Sequence, residues 1–270
     1  MKKAFFVCAI VAITAFSLLP FLWFVLTSLK TPQAITAIPP EVVPAFHLDF
    51  YRSALREYGL LGFIWNSALV AGATTIISLA IAALGAYALA RFQSAWSRYY
   101  LMLLLAVAMF PQIAIAGPVW RILSSLGWLN SYQGIIAAYI SLSLPFAIWV
   151  LTTFFKELPY EIEDAALVDG CTRLQALTKV VVPLAAPGLF TAAILVFIQA
   201  WNEFFFALII LTDPALQTLP VGIALFPGEY TMPWGEISAA STIATLPLVV
   251  LTLVFQRRIV QGLSAGAVKG

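Results

Sequence analysis

Six apolar runs, each long enough to cross a bilayer as a helix, dominate this sequence: 4–29, 62–90, 99–119, 134–155, 188–211 and 237–255. A hydrocarbon core of about 30 Å takes about 20 residues of α-helix, and backbone inside it must satisfy its own hydrogen bonds. The expected fold class is therefore all-α integral membrane, with six transmembrane helices in one domain over residues 1–270. A loop at 156–187 separates helices four and five, and a tail follows at 256–270. Pro111 and Pro118 interrupt the third run and make it the weakest of the six.

Composition supports lipid as the main solvent. Charged residues are 10% of the chain, against roughly 25% in an ordinary soluble domain. The net charge of +2 gives no reason to expect nucleic acid as a partner. Cys8 and Cys171 are too far apart to suggest a framework, and His47 is the single histidine, so no metal site is expected. His47 reads most simply as a surface residue. The first run begins with Lys2 and Lys3 but exceeds the roughly 7–15 apolar residues of a secretory signal, so a retained anchor is expected.

Lysine and arginine placement predicts orientation. With the N-terminus inside, Lys2, Lys3, Arg91, Arg98, Lys156, Arg173, Lys179, Arg257, Arg258 and Lys269 lie on the cytoplasmic side. Lys30, Arg52, Arg56 and Arg121 lie outside. Both termini, and the 156–187 loop, are then expected to be cytoplasmic.

That loop concentrates acid in an oily chain: Glu157, Glu161, Glu163, Asp164 and Asp169 fall within 13 consecutive positions. Pro159 suits a helix start, and acids in a first turn suit the positive end of the helix dipole. Ile162, Ala165, Ala166 and Asp169 share a face that small side chains leave nearly flat. Gly170 is a natural stop. A second helix is expected from Thr172 to Val182, before Pro183 and Pro187 return the chain to the membrane. On these grounds alone the stretch is either a solvated loop or a docking element.

The pattern Asp164-Ala165-Ala166-x-x-Asp169-Gly170, followed by Val182-Pro183-Leu184 and Pro187, resembles the Glu-Ala-Ala loop of membrane subunits of ABC importers. It departs from that loop in carrying Asp164 for the usual glutamate, beside Glu163, and Leu177 for a common phenylalanine. Further segments are similar to the carbohydrate branch, most of all to the second permease of maltose- and trehalose-type systems. They are Asn66-Ser67, Trp201-Asn202-Glu203-Phe204 with Ala207-Leu208, Thr218 to Gly222, and the tail from Gln256 to Gly270. The resemblance implies a sugar importer permease working by alternating access. Its implied partners are a homologous second permease, a dimer of ATPase subunits, an extracytoplasmic sugar-binding protein and the bilayer.

For the loop, the resemblance implies ATPase coupling by Glu163, Asp164, Ala165, Ala166, Asp169, Gly170 and Pro183. It implies binding-protein contact by Phe226, Pro227, Gly228, Glu229 and Tyr230, and an ATPase-contacting tail including Gly266, Lys269 and Gly270. The sequence contains no G-x-x-x-x-G-K-[ST] phosphate loop. ATP and Mg are therefore expected on the partner ATPase, and this chain is expected to carry no cofactor and no catalytic residue.

Glu203 is the one acid expected inside a membrane helix, where an ionised group needs water or a polar partner. It can be an interhelical contact or, with Trp201 and Asn202, part of a substrate path. Two rival functions remain at this stage. An ion-coupled secondary transporter has only this one intramembrane acid to work with. A membrane enzyme has no nucleophile or metal constellation in the sequence.

Overall fold

The computed structural model describes residues 2–39, 41–42, 46–92, 96–227 and 232–265, and among these there is helix but no strand. The long helices are α1 (Lys2–Ser28), α4 (Leu60–Arg91), α7 (Tyr132–Glu157) and α14 (Trp234–Ala265). Shorter ones are α2 (Pro32–Ile35), α3 (Asp49–Arg56), α5 (Ser97–Ala108), α6 (Gln112–Ser125), α8 (Tyr160–Val168) and α9 (Arg173–Ala176). After them come α10 (Val182–Leu184), α11 (Ala186–Asn202), α12 (Phe205–Ile210) and α13 (Leu219–Ala224). Four helices are long and apolar enough to cross a membrane, and up to six spans result if each of two bent pairs counts as one.

The first bent pair revises the expected third span, and a break after Asn202 revises the fifth. The expected helix at 99–119 is instead α5 and α6, set at 90° to each other. Pro111 has no N–H to continue α5 and stands at the start of α6, with ψ at 121°. Pro118, by contrast, is accommodated inside α6. The fifth run begins as α11 but ends at Asn202, and the chain restarts as α12. The segment Arg173–Leu184 meets α11 at 81°.

The chain divides into two units. One comprises Met1–Ile64 with Leu219–Val249, the other Trp65–Thr218 with Val250–Gly270. In the second, α7 touches α5, α11 and α12. Its core joins Ala82, Ala86 and Ala90 of α4 to Ala147, Leu151 and Phe155 of α7 and to Ala192 and Val196 of α11. Alanines four apart form a small-residue stripe, which lets neighbouring helix backbones approach closely in lipid, where dispersion contacts replace the hydrophobic effect.

In the first unit, the proline- and aromatic-rich segment after α1 is tied down by its rings. Phe50 lies against Gly235 and Phe63 against Gly222, so tightly that a methyl group at either glycine would overlap the ring. Tyr58 stacks on Phe226 at 4.4 Å between centroids, and its hydroxyl donates to the Pro227 carbonyl at 3.2 Å. The hydroxyls of Ser28 and Tyr51 are hydrogen-bonded at 2.7 Å.

Candidate coupling loop and path residues

The acid-rich loop begins where α7 ends. Leu158 and Pro159 are extended, so helix α8 starts at Tyr160, one residue after the proline. It ends in a complete Schellman motif. The Cys171 N–H donates to the Ala166 carbonyl at 3.0 Å, and the Gly170 N–H to that of Leu167 at 3.1 Å. Gly170 has φ of +86°, the left-handed conformation this motif requires. Thr172 then caps α9 in a reciprocal box with Gln175. The expected second helix, Thr172 to Val182, is in fact α9, a π-helical segment over Leu177–Val181, and α10.

What holds α8 in place is an ion pair to the end of α4. Glu163 Oε2 lies 2.7 Å from Arg91 Nε, with both side chains almost wholly buried. The Tyr87 hydroxyl donates to the other oxygen of Glu163. Arg91 also donates to the Leu158 carbonyl at 3.1 Å, and its guanidinium sits 4.6 Å over the Tyr160 ring. The Tyr160 hydroxyl in turn donates to the Ala90 carbonyl at 3.1 Å. The end of α4 thus grips the start of α8 and the Leu158 carbonyl just before it. Tyr87 and Arg91 are one helical turn apart, the signal that could have exposed the clamp.

Glu163, one of the residues expected in ATPase coupling, turns its carboxylate inward. Ala166 is also buried. Asp164, Ala165, Asp169, Gly170 and Pro183 are exposed. Two apolar residues that the sequence reading passed over join them: Val168 is 86% exposed and Leu174 60%. Leu177 is buried in the core between α4, α7 and α11 and anchors the loop from below.

The expectation for Glu203 also needs correction. It is not in a helix interior. It follows Asn202 with ψ of 126°, so the chain leaves α11 there. Its carboxylate accepts the N–H groups of Phe206 at 2.8 Å and Ala207 at 3.2 Å, among the unpaired donors that open α12. The Tyr139 hydroxyl donates to its carbonyl at 3.3 Å. Trp201 is buried and stacks on Phe197 at 5.7 Å. Asn202 is exposed, and its amide donates back to the Ile198 carbonyl at 2.8 Å.

Two asparagines secure the return from α12. Asn66, buried in α4, donates to the carbonyls of Ala215 and Gln217 at 2.9 Å each, and accepts from the Tyr132 hydroxyl at 2.7 Å. Asn130, at φ of +49°, accepts from the N–H groups of Thr212 and Asp213. Of the residues expected at a binding-protein contact, Phe226 is buried and Pro227 exposed. Gly228, Glu229 and Tyr230, and the tail residues Gly266, Lys269 and Gly270, lie outside the described residues. Among the described residues no cluster of ligand side chains is set to hold a metal.

Residues 78–265, from the middle of α4 to the end of α14, match the model of the family described as "Binding-protein-dependent transport system inner membrane component". The chain belongs to this family. It is thus a multi-pass inner-membrane permease component of ABC transport systems. The sulfoquinovosyl glycerol transport system permease of Agrobacterium fabrum is 44% identical over 94% of this chain and 89% of its own length. The trehalose transport system permease of Mycobacterium tuberculosis is 41% identical over 96% and 94%. The trehalose/maltose permease of Thermococcus litoralis is 36% identical over 100% and 98%. In fold, the permease is similar to a crystal structure of a bacterial ABC transporter that imports alginate, with a TM-score of 0.80 over 95% of this chain and 96% of that one, at 23% identity.

Proposed function

We infer that this permease is one of two homologous membrane subunits of an ATP-driven importer for a disaccharide, oligosaccharide or related sugar solute. The relatives named for trehalose, maltose and sulfoquinovosyl glycerol transport support that substrate class. The chain is not itself an enzyme. Two ATPase subunits bind ATP and Mg, and an extracytoplasmic binding protein delivers the sugar. Both termini and the α8–α10 loop lie in the cytoplasm, in keeping with the lysine and arginine bias.

The observation that carries this reading is the division of labour in the loop. Glu163 is held inside by Arg91, while Asp164, Ala165, Val168, Asp169 and Gly170 form a small, partly acidic surface facing away. A surface fixed to the end of a membrane helix can transmit the movement of whatever grips it. ATP-driven closure of the ATPase dimer moves that surface, and the permease switches between inward- and outward-facing states through contacts that differ between them. Gly266, Lys269 and Gly270 supply a second ATPase contact, and the 226–230 segment reaches the binding protein.

Trp201, Asn202 and Glu203 belong to the sugar path. Asn202 supports this with an exposed amide at a break in the span, and Glu203 and Trp201 shape that break. The deciding experiment is reconstitution of the complex with Asp164→Lys, which reverses charge at the exposed face and leaves the Arg91–Glu163 pair alone. ATPase co-purification and sugar uptake should fall at least tenfold while the permease still inserts. Uptake at the wild-type level in that complex would reject the coupling assignment.

A further inference from the structure

A cavity of about 290 Å³ opens in the first unit, lined by Trp23, Phe24, Thr27 and Lys30 around the end of α1 and by Trp234 and Ser238 at the start of α14. Lys30 is only 3% exposed. Its ammonium lies 4.4 Å from the centre of the Trp23 ring, which offers one face to a group with three donors. No carboxylate among the described residues pairs with it. The buried Thr27 hydroxyl likewise has no hydrogen-bond partner among them. A buried cation and a buried hydroxyl left in this state call for an anionic oxygen ligand, because each is costly unpaired.

The position of the cavity selects the kind of anion. Lys30 stands two residues beyond the span Phe5–Ser28, and Trp234 opens the span Trp234–Gln256. The cavity therefore lies where two spans meet the water–lipid boundary. Trp23 and Trp234 are 43% and 53% exposed there, at the level where indole rings face headgroups. The span in α1 is not buried against the rest of the chain. A neutral sugar would stack on the same rings but leave the lysine without a counter-charge.

We propose that this cavity binds the phosphate of an anionic glycerophospholipid headgroup. Lys30 supplies the positive charge, Thr27 a hydroxyl donor, and the two tryptophans flank the glycerol. A zwitterionic headgroup binds less well, since it brings its own cation to the phosphate.

The test is native mass spectrometry of the full-length chain in neutral detergent, titrated with dioctanoyl phosphatidylglycerol, dioctanoyl phosphatidylcholine or inorganic phosphate. Phosphatidylglycerol should bind at least tenfold more tightly than phosphatidylcholine. Lys30→Gln should lose about tenfold or more, as expected for a charge-assisted hydrogen bond, and Lys30→Arg should keep the preference. Equal binding of the two lipids, or an unchanged Lys30→Gln, overturns the proposal. Inorganic phosphate binding as tightly as phosphatidylglycerol overturns it too, in favour of a free-anion site. Should Lys30→Gln fail to insert, the wild-type lipid ratio and a several-fold loss in Thr27→Val carry the same decision.

Discussion

Glu163 and Glu203 are both glutamates beside the start of a short helix, yet their carboxylates do different jobs. Glu163 reaches across the unit to Arg91 and Tyr87, 72 and 76 residues earlier in the chain, and so decides where a whole loop sits. Glu203 reaches only three and four residues ahead, to backbone N–H groups, and so decides where one span breaks. The first is an ion pair that has lost its water; the second is a helix cap. Removing one half of a buried pair strands a charge, whereas removing a cap strands neutral donors that a small rearrangement can satisfy.

The largest effect should therefore come from Glu163→Ala. Leaving Arg91 buried and unpaired costs about 3–5 kcal/mol. Thermal unfolding followed by size-exclusion chromatography should show the loss, and trypsin should cut faster at Arg173 and Lys179. Arg91→Met with Glu163→Met should recover much of the stability, because it removes both charges. A double variant no better than the single ones would mean that Arg91 and Glu163 are not energetically coupled.

Next in size should be Glu203→Leu, which takes the acceptor from two N–H groups of α12. A lost cap costs about 1–2 kcal/mol. This variant also sharpens the two roles, since a purely structural Glu203 lowers the yield of assembled complex but not uptake per complex. A fall in uptake per assembled complex would place Glu203 on the sugar path as well.

Gly170→Val should follow. Nothing lies within 4 Å of a side-chain carbon added there, so the cost is confined to the backbone. Holding an L-residue in the left-handed region costs about 1–2 kcal/mol. Insertion should be normal and uptake reduced, with Gly170→Asn milder because asparagine tolerates that region. Normal uptake by Gly170→Val in a complex shown to contain it would remove the Schellman turn from the coupling argument.

Glu203→Gln should have the smallest effect. Its amide oxygen still accepts from one of the two N–H groups, so the loss should stay below about 1 kcal/mol. A loss as large as that of Glu203→Leu, measured by the same unfolding assay, would show that the carboxylate's charge matters more than its role as a cap.

Much of the coupling loop could be read from residue order, because its parts are local. The stop at Gly170 and the start at Thr172 depend on neighbours within a few positions, and both stand where the residue types place them. The break at 203 is also local in its hydrogen bonds, but an apolar run from 188 to 211 masks it. Hydropathy records how well residues suit lipid and carries no information on backbone direction. In the sequence, Arg91 reads only as a positive charge on one side of the membrane. Its pairing with Glu163 was hidden by the intervening helices, which have to pack before the two meet.

By itself, then, the sequence determined the solvent, the helical class and the membership of a binding-protein-dependent transport family. These rest on composition, run length and local motifs, which accumulate along the chain without reference to distant contacts. The tertiary structure alone decided which acids face inward, where the third run bends and the fifth breaks, and that Lys30 is buried at a cavity with no carboxylate partner among the described residues. Each of these depends on a desolvated contact between residues far apart in the chain, or on a change in backbone direction. Burial and direction are properties of the packed helices and do not belong to any one segment.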